Sequence, residues 1–455
     1  MARVHLIGIC GTGMGSFAGL LKEAGHVVRG SDQATYPPMS DKLREWGIEV
    51  RTPYVVENLE PSPDLVIVGN AIRRENPEAS AVRTSGIESA SFPEALSRFF
   101  LEDRTSIVVA GTHGKTTTTS MIAHLLHRTG QDPSFLIGGV PENFGVGFRH
   151  GKGPHFVVEG DEYDTAYFDK RPKFLHYRPK ILVLTSLEFD HADIYPDLAA
   201  IEARFEELVA LVPKDGLILA AADAQLPLGR AVAPVRRYGQ GGEASPSDLV
   251  LDGEGARFRL RGLEHRLALG GAFNVDNACA ALEVVQHLGV GSEDAAAALA
   301  DFRGVARRQT LRAEVAGIRI VDDFAHHPTA VRLTLVGLRS RFSGPLIAVF
   351  EPRTATSARS FFQDDYARSF DAADEVIIAG VGRTELPEAE RLDVERLAAD
   401  IDHRGTPACA IHRVEDIVAR LASSAPSGAT IAFMSNGGFG GIHDRMEAAL
   451  RARPQ

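Results

Sequence analysis

The sequence predicts an α/β protein with three domains, and two observations carry this prediction. Short apolar strands alternate with amphipathic helices along most of the chain, which is typical of parallel sheets covered by helices. Glycine-rich turns at residues 8–15 and 111–114 each follow such a strand and open a helix. Because 455 residues exceed what one hydrophobic core supports, several domains are expected.

The three predicted domains follow one another along the chain. Residues 1–104 are expected to form a Rossmann-like parallel sheet. Residues 105–312 are expected to form a central P-loop-type ATPase α/β domain, with an antiparallel excursion near residues 236–270. Residues 313–455 are expected to form a doubly wound α/β domain, because apolar strands recur between residues 318 and 434.

Composition argues against two classes of partner. The formal net charge of −11 disfavours nucleic acid, because a surface that follows phosphates needs a basic stripe. The sequence has no apolar run of about 18 residues and begins directly with a strand, so we expect neither a membrane span nor a signal peptide. The three cysteines lack metal-ligand spacing and fit a reducing cytoplasm. The sequence leaves the oligomeric state open.

The turn at residues 111–114 is the strongest functional signal. A β-branched strand precedes it, and Lys115 and Thr116 open the helix that follows. Backbone N–H groups at such a junction favour a phosphate, the lysine reaches the terminal phosphates, and the threonine hydroxyl can ligate Mg²⁺. The loop is not a strict P-loop, because Val109 occupies the position of its first glycine. The alternative is an ordinary glycine turn before a helix.

The turn at residues 8–15 resembles a dinucleotide fingerprint but is shifted from it. Gly8, Gly11 and Gly13 follow the first strand, and Asp32 closes the next. This loop predicts a nucleotide-type pyrophosphate ligand, and a purely structural turn remains the alternative. Two phosphate loops on one chain suggest that one nucleotide supplies energy and the other is a handle on the substrate.

Acids and histidines at three further strand ends could serve the same chemistry. Glu159 ends a strand beside the phosphate loop and is a candidate Mg²⁺ ligand, against the alternative of a solvated acidic turn. His191, flanked by acids at another strand end, could ligate a second cation, although a lone histidine is usually structural. The segment from Asp322 to Pro328 pairs acids with His326 and His327, which suits hydrogen bonds to a ribose, an adenine or an amine better than zinc.

Taken together, these motifs resemble the Mur ligase family, the ATP-dependent amide-forming enzymes of peptidoglycan synthesis. The similarity covers nearly the whole chain, including the first glycine loop, the Gly-Lys-Thr loop, and the segments around residues 273–278, 307–308 and 322–328. Combining the first loop with an Asp-Asp-x-x-His-His-Pro segment is typical of the branch that acts directly on UDP-N-acetylmuramate. The resemblance implies ATP and Mg²⁺ as cofactors and small molecules as partners.

The resemblance also assigns roles to individual residues. Catalysis is expected of Lys115, Glu159 and His191, and metal binding of Thr116, Glu159 and His191. The expected ATP-binding residues are Gly111, Thr112, His113, Gly114, Lys115, Thr116, Thr117, Asn274, Asn277, Arg308 and Asp322. In the first domain, the residues expected to bind the UDP substrate are Gly8, Gly11, Thr12, Gly13, Met14, Ser31, Asp32, Asn70 and Ala71. In the third domain, the residues expected to bind the amine substrate are His326, Arg353, Ser435 and Asn436.

Two amine substrates compete within this branch, L-alanine and the recycled murein tripeptide L-alanyl-γ-D-glutamyl-meso-diaminopimelate. Enzymes that add alanine carry two arginines at the positions of Thr354 and Ser357, and both are absent here. The glycine-rich segment at residues 435–441 leaves room for a bulky amine, and Arg353 could pair with a distal carboxylate. The sequence therefore favours the tripeptide. Residues 201–205 contain no lysine, so the carbamylated lysine of several relatives is not expected.

Two other classes of protein would use only part of these motifs. A nicotinamide-dependent oxidoreductase would use the first loop but leaves Lys115 and Glu159 without a role. A slow ATP-hydrolysing switch would use the second loop and leave the first one idle.

Overall fold

The computed structural model describes residues 1–190, 194–354, 356–382 and 386–453. They form two compact units. The first unit contains residues 1–187, 198–245 and 277–299, and the second contains residues 188–197, 246–276 and 300–455. The predicted α/β class is confirmed, with mainly parallel sheets in both units.

The first sheet of the first unit is entirely parallel, as the alternation of strands and helices predicts. Its five strands have the order β3-β2-β1-β4-β5. They are β1 (Arg3–Ile7), β2 (Val27–Ser31), β3 (Glu49–Arg51), β4 (Leu65–Val68) and β5 (Ser89–Ser91). The helices between and after them are α1 (Thr12–Glu23), α2 (Met39–Glu45), α3 (Pro77–Ser85) and α4 (Phe92–Leu96). Strand order reverses beside β1, so the loops after β1 and β4 meet where such sheets bind ligands.

A buried polar network connects this sheet to α3. Glu78 of α3 is fully buried, and its carboxylate accepts hydrogen bonds from the Ser31 hydroxyl at 2.5 Å and the Asn58 amide at 2.7 Å. His5 Nε2 lies 3.0 Å from the same carboxylate. Burial alone raises the pKa of Glu78, but the hydrogen bonds from His5, Ser31 and Asn58 outweigh it and hold that pKa below its ordinary value.

The second sheet of the first unit has seven strands in the order β14-β13-β12-β6-β9-β7-β8. They are β6 (Thr105–Ala110), β7 (Ser134–Leu136), β8 (Phe148–Arg149), β9 (His155–Gly160), β12 (Ile181–Leu184), β13 (Leu217–Ala221) and β14 (Val235–Tyr238). A small hairpin, β10 (Asp164–Ala166) with β11 (Asp169–Pro172), follows β9. The helices are α5 (Lys115–Arg128) and α6 (Leu198–Ala210). Only the β7–β8 pair is antiparallel among the paired strands of this sheet within the described residues, so the sheet is mixed.

The two sheets of the first unit are joined by a tight aromatic contact. Phe148 of β8 lies so close to α1 that a Cβ added at Gly19 would stand 2.2 Å from its ring. The Trp46 ring meets Phe148 edge-on at 4.8 Å between centroids, and the Glu23 carboxylate accepts the His150 backbone N–H at 2.8 Å. A glycine is required at position 19 because no larger residue fits.

The second unit contains an antiparallel sheet and a larger, mostly parallel one. The antiparallel sheet is β15 (Ser247–Asp252), β16 (Gly255–Leu260) and β17 (Leu263–Leu267), which confirms most of the predicted excursion. The six-stranded sheet has the order β18-β19-β23-β20-β21-β22. Its strands are β18 (Thr310–Val315), β19 (Ile318–Asp323), β20 (Leu346–Phe350), β21 (Glu375–Ala379), β22 (Ala408–Ile411) and β23 (Thr430–Met434).

Helices cover both faces of the six-stranded sheet, with one apolar cluster on each face. They are α9 (Pro328–Arg341), α10 (Gln363–Ser369), α11 (Val394–His403), α12 (Val414–Ser424) and α13 (Ile442–Arg451). The two preceding helices are α7 (Ala272–His287), whose residues belong to both units, and α8 (Ser292–Ala300). Among the described residues, none of these helices is both long and apolar enough to span a bilayer.

Strands β14 and β18 are two that differ from the sequence-based expectation. Strand β14 was expected within the antiparallel excursion, but it pairs in parallel with β13. Strand β18 was not predicted, and it pairs antiparallel with β19 across a turn in which Ala316 and Gly317 have φ of 51° and 71°. Most of its side chains are exposed or half-buried, so it has no apolar run to reveal it.

The buried network predicts the effect of Glu78→Gln. Because the carboxylate has a depressed pKa in the folded state, it stabilises the fold above its ordinary pKa, and this contribution is lost as pH falls through the folded-state pKa. We expect the substitution to lower the free energy of unfolding by about 1–3 kcal/mol at pH 7. The difference from wild type should shrink on acidification, as measured by thermal unfolding between pH 7 and pH 3.

Glu88→Gln is the matched control, because Glu88 forms an exposed ion pair with Arg98. Such surface pairs contribute little to stability. Equal unfolding temperatures of Glu78→Gln and wild type at pH 7 would contradict the role given to the network.

Candidate active site

The predicted phosphate loop lies between β6 and α5. Gly111 and Gly114 have φ of 136° and 82°, values that side-chain-bearing residues rarely adopt. A Cβ on Gly111 would stand 2.3 Å from Thr185 Oγ1. The segment after β12 fixes the loop through two hydrogen bonds. The Ser186 carbonyl accepts the Thr112 backbone N–H at 3.1 Å, and the Ser186 hydroxyl accepts the His113 backbone N–H at 2.8 Å. Gly114 is the N-cap of α5, and having no side chain it leaves the first turn open to an anion.

Lys115 is the first residue of α5, and its ammonium is largely buried in an acidic setting. Nζ donates to both carboxylate oxygens of Glu162 at 3.0 Å and to the Gly111 carbonyl at 2.6 Å. Burial alone lowers the pKa of Lys115, but the neighbouring carboxylates, Glu162 foremost, outweigh it and raise that pKa above its ordinary value. The side chain therefore keeps its positive charge throughout the physiological pH range. Sequence reasoning missed Glu162 as its partner.

Thr116 and Glu159, two of the three predicted metal ligands, lie in direct contact. The Thr116 hydroxyl donates to Glu159 Oε1 at 2.8 Å, and Glu159 Oε2 accepts the Gly138 N–H at 2.9 Å. A hydroxyl and a carboxylate are hard oxygen donors, so this pair fits Mg²⁺. The third predicted ligand, His191, lies outside the described residues, so its position stays a prediction.

The other predicted ATP-binding residues are divided between the two units. Asn277 of the first unit lies against the loop, since a Cβ on Gly114 would stand 2.8 Å from its Oδ1. Thr117 is buried in the first turn of α5. In the second unit, the Asn274 amide donates to the Gly270 carbonyl at 2.8 Å. These assignments stay predictions.

Two predicted nucleotide-binding residues of the second unit lie near the end of β19. Asp322 is buried, with Oδ1 at 3.4 Å from both Arg307 Nε and His443 Nε2. Burial alone raises the pKa of Asp322, but His443 and Arg307 outweigh it and lower that pKa. The guanidinium carbons of Arg307 and Arg308 each lie 5.0 Å from the Phe324 ring centroid. Arg307, Phe324 and His443 had been given no role from the sequence.

The first glycine loop has the features of a ligand-binding turn. Gly8 has φ of 85°, and the N–H groups of Gly8 and Ile9 donate to the Ser31 carbonyl. Gly11, Thr12 and Gly13 are exposed, and a Cβ on Gly13 would meet nothing within 4 Å, so no packing inside the protein requires that glycine. Open space above a helix N-terminus is what an approaching pyrophosphate needs.

The remaining residues predicted for the UDP substrate differ in accessibility. Asn70 and Ala71 are exposed after β4, whereas Met14 and Ser31 are buried, the latter with its hydroxyl on Glu78. Asp32 accepts the Cys10 N–H at 2.9 Å and the Tyr54 hydroxyl at 3.1 Å, so it fixes the loop from beneath.

The predicted amine-binding residues all belong to the second unit. Ser435 is buried, and its hydroxyl donates to Glu351 and accepts the Gly437 N–H. Asn436 follows with a buried Oδ1 that has no hydrogen-bond partner among the described residues. Arg353 is half-exposed and lies across Gly437, where a Cβ would stand 2.7 Å from the guanidinium. His326 Nδ1 lies 3.1 Å from the Phe324 carbonyl.

Thr354 and Ser357, the positions at which the resemblance leads us to expect arginines in alanine-adding enzymes, form a closed pair in this chain. The Thr354 hydroxyl donates to Ser357 Oγ at 2.8 Å, and the Ser357 backbone N–H donates back to Thr354 Oγ1 at 2.8 Å. Ser357 is fully buried and also accepts the Arg353 N–H at 3.0 Å. The pair caps its own turn and presents no cation to a small carboxylate.

Comparison with known proteins gives three family matches in chain order. Residues 3–104 match the Mur ligase family catalytic domain, residues 109–285 the Mur ligase middle domain, and residues 307–437 the Mur ligase glutamate ligase domain.

Individual relatives match over most or all of the chain. The chain is 42% identical to the UDP-N-acetylmuramate–L-alanyl-γ-D-glutamyl-meso-2,6-diaminoheptandioate ligase of Escherichia coli K12, covering 100% of this chain and 99% of that one. The murein peptide ligase of Psychrobacter arcticus is 34% identical, with a TM-score of 0.72 and full coverage of both chains. The UDP-N-acetylmuramate–L-alanine ligase of Renibacterium salmoninarum is 36% identical over 84% of this chain and 82% of its own.

Lys115→Ala should lower ATP turnover by at least about 100-fold, because the buried ammonium would no longer offset charge that develops during phosphoryl transfer. Steady-state ADP release at saturating substrate measures the effect. Lys180→Ala is the control, since Lys180 pairs with Asp215 on the surface. A folded Lys115→Ala variant that keeps more than about a tenth of wild-type turnover would contradict the role assigned to this lysine.

Glu159→Gln should raise the Mg²⁺ concentration for half-maximal turnover by about tenfold or more, because an amide offsets less cation charge than a carboxylate. The isosteric change keeps an oxygen for the Thr116 hydroxyl. Glu142→Gln, an exposed change on the loop between β7 and β8, is the control.

His191→Ala should shift the same Mg²⁺ titration less, since imidazole is neutral. Wild-type titration curves for both Glu159→Gln and His191→Ala would show that neither residue is a ligand.

Proposed function

Because this chain belongs to the Mur ligase family, we propose that it is an ATP-dependent ligase of murein peptide recycling. It joins the lactyl carboxylate of UDP-N-acetylmuramate to the α-amine of L-alanyl-γ-D-glutamyl-meso-diaminopimelate. The observation that carries this proposal is a glycine loop whose Gly111 carbonyl accepts a hydrogen bond from Lys115 and whose following Thr116 contacts Glu159, in a chain that matches the Escherichia coli ligase from end to end.

The activation step needs positive charge where phosphate charge develops. The lactyl carboxylate attacks the γ-phosphorus of ATP, ADP leaves, and an acyl phosphate forms. The Lys115 ammonium, charged at neutral pH, is placed to offset the charge on the transferred phosphoryl group. When bound, Mg²⁺ would neutralise further phosphate charge, and Thr116, Glu159 and His191 are the residues we propose to hold it.

The bond-forming step needs proximity and a dry site. The neutral α-amine of the peptide attacks the carbonyl carbon of the acyl phosphate, inorganic phosphate leaves, and the amine loses a proton. Holding the amine beside the acyl phosphate supplies effective concentration and limits hydrolysis. We propose His326, Arg353, Ser435 and Asn436 for this task, with Asn436 Oδ1 ready to accept a peptide or ammonium N–H.

The three predicted domains divide the work in this proposal. Residues 1–104 hold the UDP substrate, residues 105–312 hold ATP, and residues 313–455 hold the amine. ATP and UDP-linked sugars are cytoplasmic metabolites, so the cytoplasm is the proposed compartment. A nicotinamide-dependent oxidoreductase and a non-catalytic switch do not agree with three consecutive ligase-domain matches.

The alanine-adding activity is the alternative to exclude, because relatives named for it are 36% identical to this chain. Alanine is held by its single carboxylate, which needs a cation close to the reacting amine. The Thr354–Ser357 pair supplies hydroxyls that already bond each other. A longer peptide carries its carboxylates farther from the amine and does not need a cation there.

We expect kcat/KM for the tripeptide to exceed that for L-alanine by at least about 100-fold, or about 2.7 kcal/mol of differential transition-state binding. ADP release with each amine, at saturating ATP and UDP-N-acetylmuramate, measures the ratio. Reactions without UDP-N-acetylmuramate are the control for ATP hydrolysis unrelated to ligation. Equal or better use of free L-alanine would leave the alanine-adding ligase as the correct assignment.

A further inference from the structure

The second unit contains a cavity of about 450 Å³ whose charged carboxylate and guanidinium side chains carry none of the roles assigned above. Three segments line it: residues 188–189, the first turns of α9, and α10 with the residue before it. Pockets of about 300–1,000 Å³ suit small ligands. The cavity therefore has room for part of a substrate.

The cavity wall carries charges of both signs. Arg332 of α9 is exposed, and its guanidinium forms no ion pair within the part of the chain that the structure describes. Asp365 and Arg368 of α10 pair with each other at 2.7 Å, and both side chains are more than half exposed. Such an exposed pair contributes little to stability, so a ligand can replace either partner at small cost. Glu188, which also lines the cavity, accepts the Thr329 hydroxyl at 2.7 Å.

Aromatic rings also line the cavity. Phe189 and Phe362 line the cavity, and Phe362 is buried in the apolar core beneath it. A site that combines apolar walls with charges of both signs suits an aliphatic chain that ends in a zwitterion. A polyphosphate does not fit, because Asp365 and Glu188 would repel it.

The cavity also lies within reach of the proposed amine site. His327 lines it, and the preceding residue is His326, which we proposed to contact the amine. Arg332 stands about 6 Å farther along α9 from Pro328, since an α-helix rises about 1.5 Å per residue. Three extended residues span about 10 Å, so the far end of a tripeptide can reach this arginine.

We propose that this cavity binds the distal end of the peptide substrate, the terminal amino-acid centre that carries a carboxylate and an ammonium on an aliphatic chain. Arg332, rather than the Arg353 expected from the sequence, pairs with the distal carboxylate, because Arg332 lines the cavity and Arg353 does not. Asp365 accepts from the distal ammonium. Phe189 and Phe362 pack against the methylene groups. This inference rests on the proposed function, because it takes the tripeptide as the amine substrate.

The test compares two peptides that differ at this end alone. One carries meso-diaminopimelate, and the other carries L-lysine, which keeps the distal ammonium and lacks the distal carboxylate. Arg332→Gln should raise KM for the diaminopimelate peptide at least tenfold and change that of the lysine peptide by less than threefold. Asp365→Asn should raise KM for both peptides. Both variants should keep kcat within twofold of the wild-type value. KM for ATP and the unfolding temperature should not change. A peptide that is turned over poorly is measured as a competitive inhibitor.

Arg451→Gln and Glu447→Gln are the controls, since these residues form a similar exposed helical ion pair on α13. The cavity assignment would be overturned if Arg332→Gln bound both peptides as wild type does, or if it weakened the binding of both peptides equally. The proposed function would not be affected by either result. A wild-type enzyme that ligates L-alanine and not the tripeptide would overturn the proposed function, and this inference with it.

Discussion

The register of β6 between β9 and β12 is the constraint on which the first unit's chemistry depends. Ala110 pairs with Gly160 on one side and Leu184 on the other, so three parallel strands end at the same level. The residues that follow them, the glycine loop, the acids around Glu162 and the Thr185–Ser186 segment, therefore meet at one edge. A shift of one residue in the pairing of β6 with β9 would turn Glu159 to the opposite face of the sheet relative to β6.

This constraint explains what could be predicted from the sequence. Thr116 and Glu159 could be expected to lie close together. Glu159 stands at the end of an apolar strand, Thr116 stands at the start of the helix that follows the neighbouring strand, and the ends of parallel strands converge. The Lys115–Glu162 ion pair could not be predicted, because Glu162 is one of several acids in an irregular turn. Only the path of that turn decides which acid reaches the ammonium. Strand β18 escaped prediction because its exposed face has no apolar period.

The proposed amine site could also be predicted only in part from the sequence. The missing arginines at Thr354 and Ser357 were visible in the sequence as an absence, and the structure adds that the two hydroxyls satisfy each other. The cavity beside α9 had no sequence signal at all. Its charges come from a loop at Glu188 and from two helices, α9 and α10, that follow much later in the chain, and their convergence is a property of the folded unit.

The contact between Phe148 and α1 has a consequence for recombination among related enzymes. The bounds of the family domains suggest a crossover near residue 104, which would separate Gly19 from Phe148. A graft of the first sheet brings its own residue to position 19, and anything larger than glycine meets the ring. The transferable piece is therefore the first sheet together with the β7–β8 hairpin, a module whose borders do not coincide with any single cut in the gene.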